Sequence, residues 1–130
     1  MTQRPATVNF RLYPGATFSE VTTLLDSAGA PVDLSGRTAL MHIRRDPDDP
    51  VPVFELSTTN GGIVLDAQGG ISLNIAATAT SPALTPPIDT YGEVWYHDLL
   101  ITTPDTSVVD RLYQGVLIVL PGMTHPAATP

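Results

Sequence analysis

The sequence predicts an all-β fold, a sandwich or barrel of short strands, on three observations. Apolar residues recur at every second position, turn signals separate the alternating runs, and no window offers a helix of useful length. Alternation matters because neighbouring side chains of a strand point to opposite faces, so one face can pack while the other meets water. The first run puts Val8, Phe10 and Leu12 on one side and Asn9, Arg11 and Tyr13 on the other, until Pro14-Gly15 breaks it. TALMHIR repeats the period, with Ala39, Met41 and Ile43 inward, Thr38, His42 and Arg44 outward, and Leu40 as an apolar exception on the outer side. Ile71, Leu73 and Ile75 alternate most cleanly, with Ser72 and Asn74 outward.

Turn signals lie at 26–31 (DSAGAP), 46–50 (DPDDP), 58–62 (TTNGG), 66–70 (DAQGG) and 102–107 (TTPDTS). Asn60-Gly61 reads as a hairpin turn, because both residues tolerate positive φ. Residues 63–65 are then expected to return against 53–56, with Pro52 marking that strand as an edge. The last two strands are expected at 93–102 and 108–120, the second broken by a bulge near Gln114-Gly115. AATATSPAL at 76–84 offers at most one helical turn before Pro82, and the chain has no internal repeat. A single domain is expected over 7–121, flanked by polar, proline-bearing arms at 1–6 and 122–130 that are flexible or order on a partner.

Composition bounds the function. At 130 residues and 13.8 kDa there is room for one core, and a 42% hydrophobic content with mean hydropathy +0.12 belongs to a folded chain. Six arginines, no lysine and 13 acids give a net charge of -7, which argues against nucleic acid as a partner, since that affinity comes from clustered cations. With no cysteine there is neither a disulfide framework nor a thiolate metal site. The N-terminal residues lack the apolar stretch of a signal peptide, and the aliphatic run 116–120 is too short to span a bilayer, so no membrane is expected and the cytoplasm is the expected location until the chain meets a partner.

No catalytic, cofactor or metal residues stand out. His42, His97 and His125 have no zinc-site spacing, and the two in strands read as solvent-facing; His97 and Asp98, being adjacent, point to opposite faces. Asp46, Asp48 and Asp49 offer oxygen ligands for calcium but lack the glycine and distal glutamate of an EF-hand, and read as a solvated turn. No G-x-S-x-G elbow accompanies the serines. Trp95 and Tyr96, with Tyr91 and Tyr113, are candidates for a sugar-stacking platform or a protein interface, although adjacency puts one of Trp95 and Tyr96 in the core. Arg37, Arg44, Arg45 and Arg111 are candidates for pairing with acids inside the chain or on a neighbour. The candidate partner-binding residues are Arg44, Arg45, Trp95, Met123 and His125.

The order of parts across 15–124 carries a resemblance. Those parts are GATF, then Pro31-Val32-Asp33-Leu34-Ser35-Gly36-Arg37-Thr38-Ala39 leading into Met41-His42-Ile43-Arg44, Gly69-Gly70-Ile71, Tyr96 with Asp98-Leu99, and Arg111-Leu112-Tyr113 with Gly115-Val116. In this order the chain resembles the N-terminal domain of the phage baseplate upper protein family and related small phage structural proteins. The resemblance implies an immunoglobulin-like antiparallel β-sandwich used for attachment, without catalytic residues or a cofactor. It also implies partners among phage structural proteins, either the major capsid protein or tail and baseplate proteins, together with copies of the chain itself. The expected function is a virion protein, either a capsid decoration or cement protein or a small tail adaptor, with a carbohydrate-binding module for host recognition as the alternative. His97 stands where the family pattern runs Tyr-Asp-Leu, and no receptor-binding region is expected after the domain.

Overall fold

The computed structural model describes residues 6–79 and 92–120, and its regular elements there are all strands. They are β1 (Ala6–Thr7), β2 (Phe10–Leu12), β3 (Phe18–Thr23), β4 (Thr38–Arg44), β5 (Phe54–Ser57), β6 (Ile63–Leu65), β7 (Gly70–Ile75), β8 (Glu93–Thr102) and β9 (Val109–Val119). The larger sheet runs β1-β9-β8-β4-β5, with β2 following β1 along β9; the smaller runs β3-β7-β6. Disregarding β1 and β2, this is the order of an immunoglobulin domain's G-F-C-C′ and B-E-D strands. The fold is an all-β sandwich broadly resembling the immunoglobulin-like architecture.

The inward residues follow the alternation in the sequence. Ala39, Met41 and Ile43 of β4 are buried, as are Ile71, Leu73 and Ile75 of β7 and Phe10 and Leu12 of β2. Leu56 of β5, Trp95, Leu99 and Ile101 of β8 and Tyr113, Leu117 and Val119 of β9 add to the larger sheet's contribution, and Phe18 and Ile63 to the smaller's, so one core lies between the two sheets. Leu34, from the loop before β4, closes it with no exposed surface.

Four expectations are corrected. The sandwich is not wholly antiparallel, because β1 and β2 pair parallel to β9, in the registers Ala6↔Tyr113 and Phe10↔Leu117. Ala6, inside the segment expected to be an arm, is therefore part of the sheet. Asn60-Gly61 does not close a hairpin: β5 pairs with β4 while β6 pairs with β7, so this turn carries the chain from one sheet to the other. Its geometry is held by the Asn60 side chain, whose Oδ1 accepts from the Ser57 and Gly62 amides at 2.9 and 2.8 Å and whose Nδ2 donates to the Glu55 carbonyl at 2.8 Å. A turn so bound does not need ladder hydrogen bonds between its two flanks. The expected edge position of this segment is met, since β5 ends the larger sheet.

The bulge lies elsewhere too. Pairing between β8 and β9 shifts between Leu99↔Tyr113 and Leu100↔Arg111, leaving Leu112 as the extra residue. Gly115 has a different role. A Cβ there would overlap the Val8 carbonyl, so the absent side chain is what lets the N-terminal segment lie against β9.

His97 is the fourth correction. It is only 5% exposed, packed with its ring centroid 5.2 Å from that of Phe10 and 6.0 Å from that of Tyr113. Its inward direction follows from β8 parity, which buries Trp95, His97, Leu99 and Ile101 together. The N-terminal segment supplies the polar partner that makes burial tolerable, a Val8 carbonyl 2.8 Å from Nε2.

Candidate functional site

The outward residues of β4, β8 and β9 form a polar surface on the larger sheet. Register sets one row straight across five strands: Glu55 on β5 lies opposite His42 on β4, His42 opposite Asp98 on β8, Asp98 opposite Gln114 on β9, and Gln114 opposite Thr7 on β1. The next row places Arg44 opposite Tyr96 and Tyr96 opposite Val116. Together these rows floor an open groove of about 520 Å³, with Pro47 and Arg111 at its sides. The bulge at Leu112 is what admits Arg111. Residues 111 and 114 have opposite parity, and the extra residue between them returns both to the outer face.

The charged groups of this surface hold one another. Arg44 Nη2 lies 3.1 Å from His42 Nδ1, and His42 Nε2 lies 2.9 Å from Glu55 Oε1. A guanidinium only donates, so Nδ1 accepts and the proton sits on Nε2, where it is donated to Glu55. Arg44 Nη1 donates to the Asp49 carbonyl at 2.8 Å, tying the 46–50 loop to the groove. On the far side Arg111 Nε lies 3.2 Å from Asp98 Oδ2. Among the described residues the lining carries two arginines against one carboxylate, in a chain whose net charge is -7.

This arrangement orients donors and acceptors without assembling a reaction. His42 has a carboxylate on one nitrogen and a guanidinium on the other, so neither is free to activate a nucleophile. Among the described residues no group of three or more His, Cys, Asp or Glu side chains gathers to hold a metal ion. In the DPDDP turn the Asp46 carboxylate accepts from the Asp48 amide at 2.9 Å, an Asx turn that closes the loop on itself.

Of the sequence-predicted partner residues Arg44, Arg45 and Trp95, which are among the described residues, Arg44 alone lines this groove. Arg45, next in sequence, faces the other way and grips Glu93 with Nη2 2.8 Å from Oε2 and Nε 3.2 Å from Oε1. Its guanidinium carbon stands 5.7 Å from the Trp95 ring centre, and the Trp95 indole N–H donates to Glu93 Oε1 at 2.9 Å. Trp95 has no exposed surface. These three side chains form a clasp over the end of the core, so Trp95, expected at a partner surface, is buried, and Arg45, expected there too, is turned to Glu93. Met123 and His125 lie outside the described residues, as does Tyr91.

The remaining aromatics divide by strand parity. Tyr96 is 41% exposed in the groove, whereas Tyr113 is buried. Burial pushes the Tyr113 phenol up to about 12, against a smaller opposing effect of the Thr22 hydroxyl. Burial likewise lowers the His97 imidazole below its ordinary value, outweighing the Val8 carbonyl and the Asp98 charge, which raise it. His97 Nδ1, the Tyr113 hydroxyl and the Thr22 hydroxyl have no well-formed hydrogen bond, and all are shut inside the core.

Sequence reasoning did not bring Glu55, Asp98, Arg111 and Gln114 together with His42. Alternation shows which residues face outward on each strand, and only the pairing of strands puts them in one row. No protein-family model matches the chain, and no curated protein matches it. Among solved structures, one titled as murine CRIg is similar at a TM-score of 0.40 and 12% identity, covering 88% of this chain and 92% of that one, a likeness that identifies neither family nor function.

Proposed function

We propose that this chain is a non-enzymatic docking module of a bacteriophage virion, a capsid decoration or cement protein or a small tail or baseplate adaptor. The phage half of the reading rests on the resemblance across 15–124. The docking half is supported by one observation: the polar groove is built on four neighbouring strands, and its charged side chains are already held in place by one another. Preorganised groups on rigid elements favour recognition of a partner surface, because little side-chain entropy is lost on contact. Its partners would be coat or tail proteins and further copies of itself. In the same reading the sandwich is an immunoglobulin-like domain. The carbohydrate alternative loses its best residue, since Trp95 offers no face to a sugar.

Quantitative mass spectrometry of purified particles tests this reading. Copy number near that of the coat protein is the expected result for decoration or cement, and a few copies per particle is that for a tail adaptor. Absence from the particles overturns the proposal.

A further inference from the structure

Among the described residues the smaller sheet ends on β3, and β3 is unlike every other strand edge described. It is six residues long, FSEVTT, with no proline, lysine or bulge. The opposite edge, β6, has three residues; the larger sheet ends on β5, four residues long and preceded by Pro52, and on the short β1 and β2. Shortness, proline and charge are the devices that keep sheet edges from pairing. β3 uses none of them but a single Glu20.

The backbone groups of β3 alternate in direction. The Leu24 amide donates to the Gly69 carbonyl at 2.8 Å, which makes Leu24 and Gly69 a hydrogen-bonded pair in the β3–β7 register. Such pairs recur at every second residue, so Phe18, Glu20 and Thr22 bond to β7. Ser19, Val21 and Thr23 therefore aim their N–H and C=O groups away from the sheet, toward the open edge. Their side chains are exposed, Val21 by 66%.

We propose that two copies of this chain pair antiparallel through β3, about a two-fold axis at Val21, joining their three-stranded sheets into one of six strands. The inference deepens one half of the functional reading, association of the chain with its own copies, and does not need the particle. Parity and charge select this register. An axis at Val21 sets Val21 opposite the second copy's Val21 and Ser19 opposite its Thr23. Every outward-aimed amide and carbonyl of β3 then finds a partner, and Glu20 lies opposite Thr22. An axis at Glu20 sets two carboxylates opposite each other, which is destabilising. An axis at Thr22 carries Ser19 past the end of the partner strand. Val21 is thus the residue whose exposed apolar side chain is covered by its own copy.

The absence of cysteine from the chain gives a clean test. Directly opposite residues of a hydrogen-bonded pair have Cα atoms about 5.5 Å apart, within disulfide reach. Val21→Cys is therefore expected to form a covalent dimer under mild oxidation. Ser19→Cys and Thr23→Cys, whose like positions would be about 13 Å apart, are expected to do so only when mixed with each other. Sedimentation equilibrium of the unmodified chain is expected to show a dimer that Val21→Pro or Val21→Lys abolishes. Near-UV circular dichroism of each variant verifies the fold, which the outward amide of Val21 leaves intact when replaced by proline. A chain that stays monomeric at about 1 mM overturns the proposal. So does a dimer indifferent to both Val21 variants, or a Val21→Cys crosslink no faster than that of Ser19→Cys alone, the outcomes expected if another surface or another partner's strand uses this edge. Each of these experiments uses the isolated chain, so a chain absent from particles could still dimerise through β3, and a particle component could still be monomeric.

Discussion

His97 Nε2 lies 2.8 Å from the carbonyl oxygen of Val8, 89 residues away, and so ties the central strand β8 to the segment joining β1 and β2. The same segment is held by the Val8 amide, which donates to the Gln114 carbonyl at 2.9 Å, and by Asn9 Oδ1, which accepts from the Val116 amide at 3.1 Å. This bracing along β9 extends the larger sheet to the Thr7 side of the groove.

Stability is expected to fall as pH drops below about 6.5, the ordinary imidazole value in the unfolded chain. The folded value of His97 is lowered by burial, so between the two values the unfolded state binds the extra proton. Its contribution is complete above the unfolded value and declines as pH falls toward the folded one, by at most about 1.4 kcal/mol per pH unit. Asp33 and Asp105, both lowered by hydrogen bonds chiefly from Ser35 and Ser107, act in a separate window below the ordinary carboxylate value. Urea unfolding across pH 5 to 7 (roughly the imidazole range) should show the decline, and His97→Phe should flatten it.

Gly115→Ala is expected to cost about 2 kcal/mol or more, because the new Cβ overlaps the Val8 carbonyl and one of the two backbones must move. Amide hydrogen exchange gives the location. Val8 should lose protection while Leu73 in the other sheet keeps it.

The clasp at the end of the core makes Glu93 the shared acceptor of Arg45 and Trp95, with the ion-paired side chains only 18% and 20% exposed. Glu93→Ala removes three donors' partner at once and should cost about 2 kcal/mol. Trp95 is the only tryptophan, so its fluorescence reports directly on the loss.

Asn60→Ala should cost about 1–3 kcal/mol, from the loss of three side-chain hydrogen bonds across the turn that moves the chain between sheets. Asn60→Asp keeps the two accepted bonds and is expected to recover most of that loss in denaturant titrations.

Within the groove, Arg111→Ala and Arg44→Ala are expected to weaken incorporation into particles. The Arg111–Asp98 pair is exposed, 51% and 38%, so for Arg111→Ala the change in folding stability should stay within about 1 kcal/mol. Incorporation unchanged in both variants would remove the groove from the docking surface.

The sequence by itself determined which residues are inside. Alternation in TALMHIR and in GISLNI assigns Met41 and Leu73 to the core, because side-chain direction within a strand is a local property of the backbone. The β8 parity that buries Trp95 also buries His97, so composition misjudged a residue that periodicity places correctly. Only the tertiary structure decided what lies beside what. Pairing β5 with β4 and β6 with β7 undid the hairpin expected at Asn60-Gly61, and the bulge at Leu112 brought Arg111 onto the same face as Gln114. Partner strand and register depend on contacts between residues distant in sequence, such as the 89-residue link from Val8 to His97, and a local pattern carries no record of them.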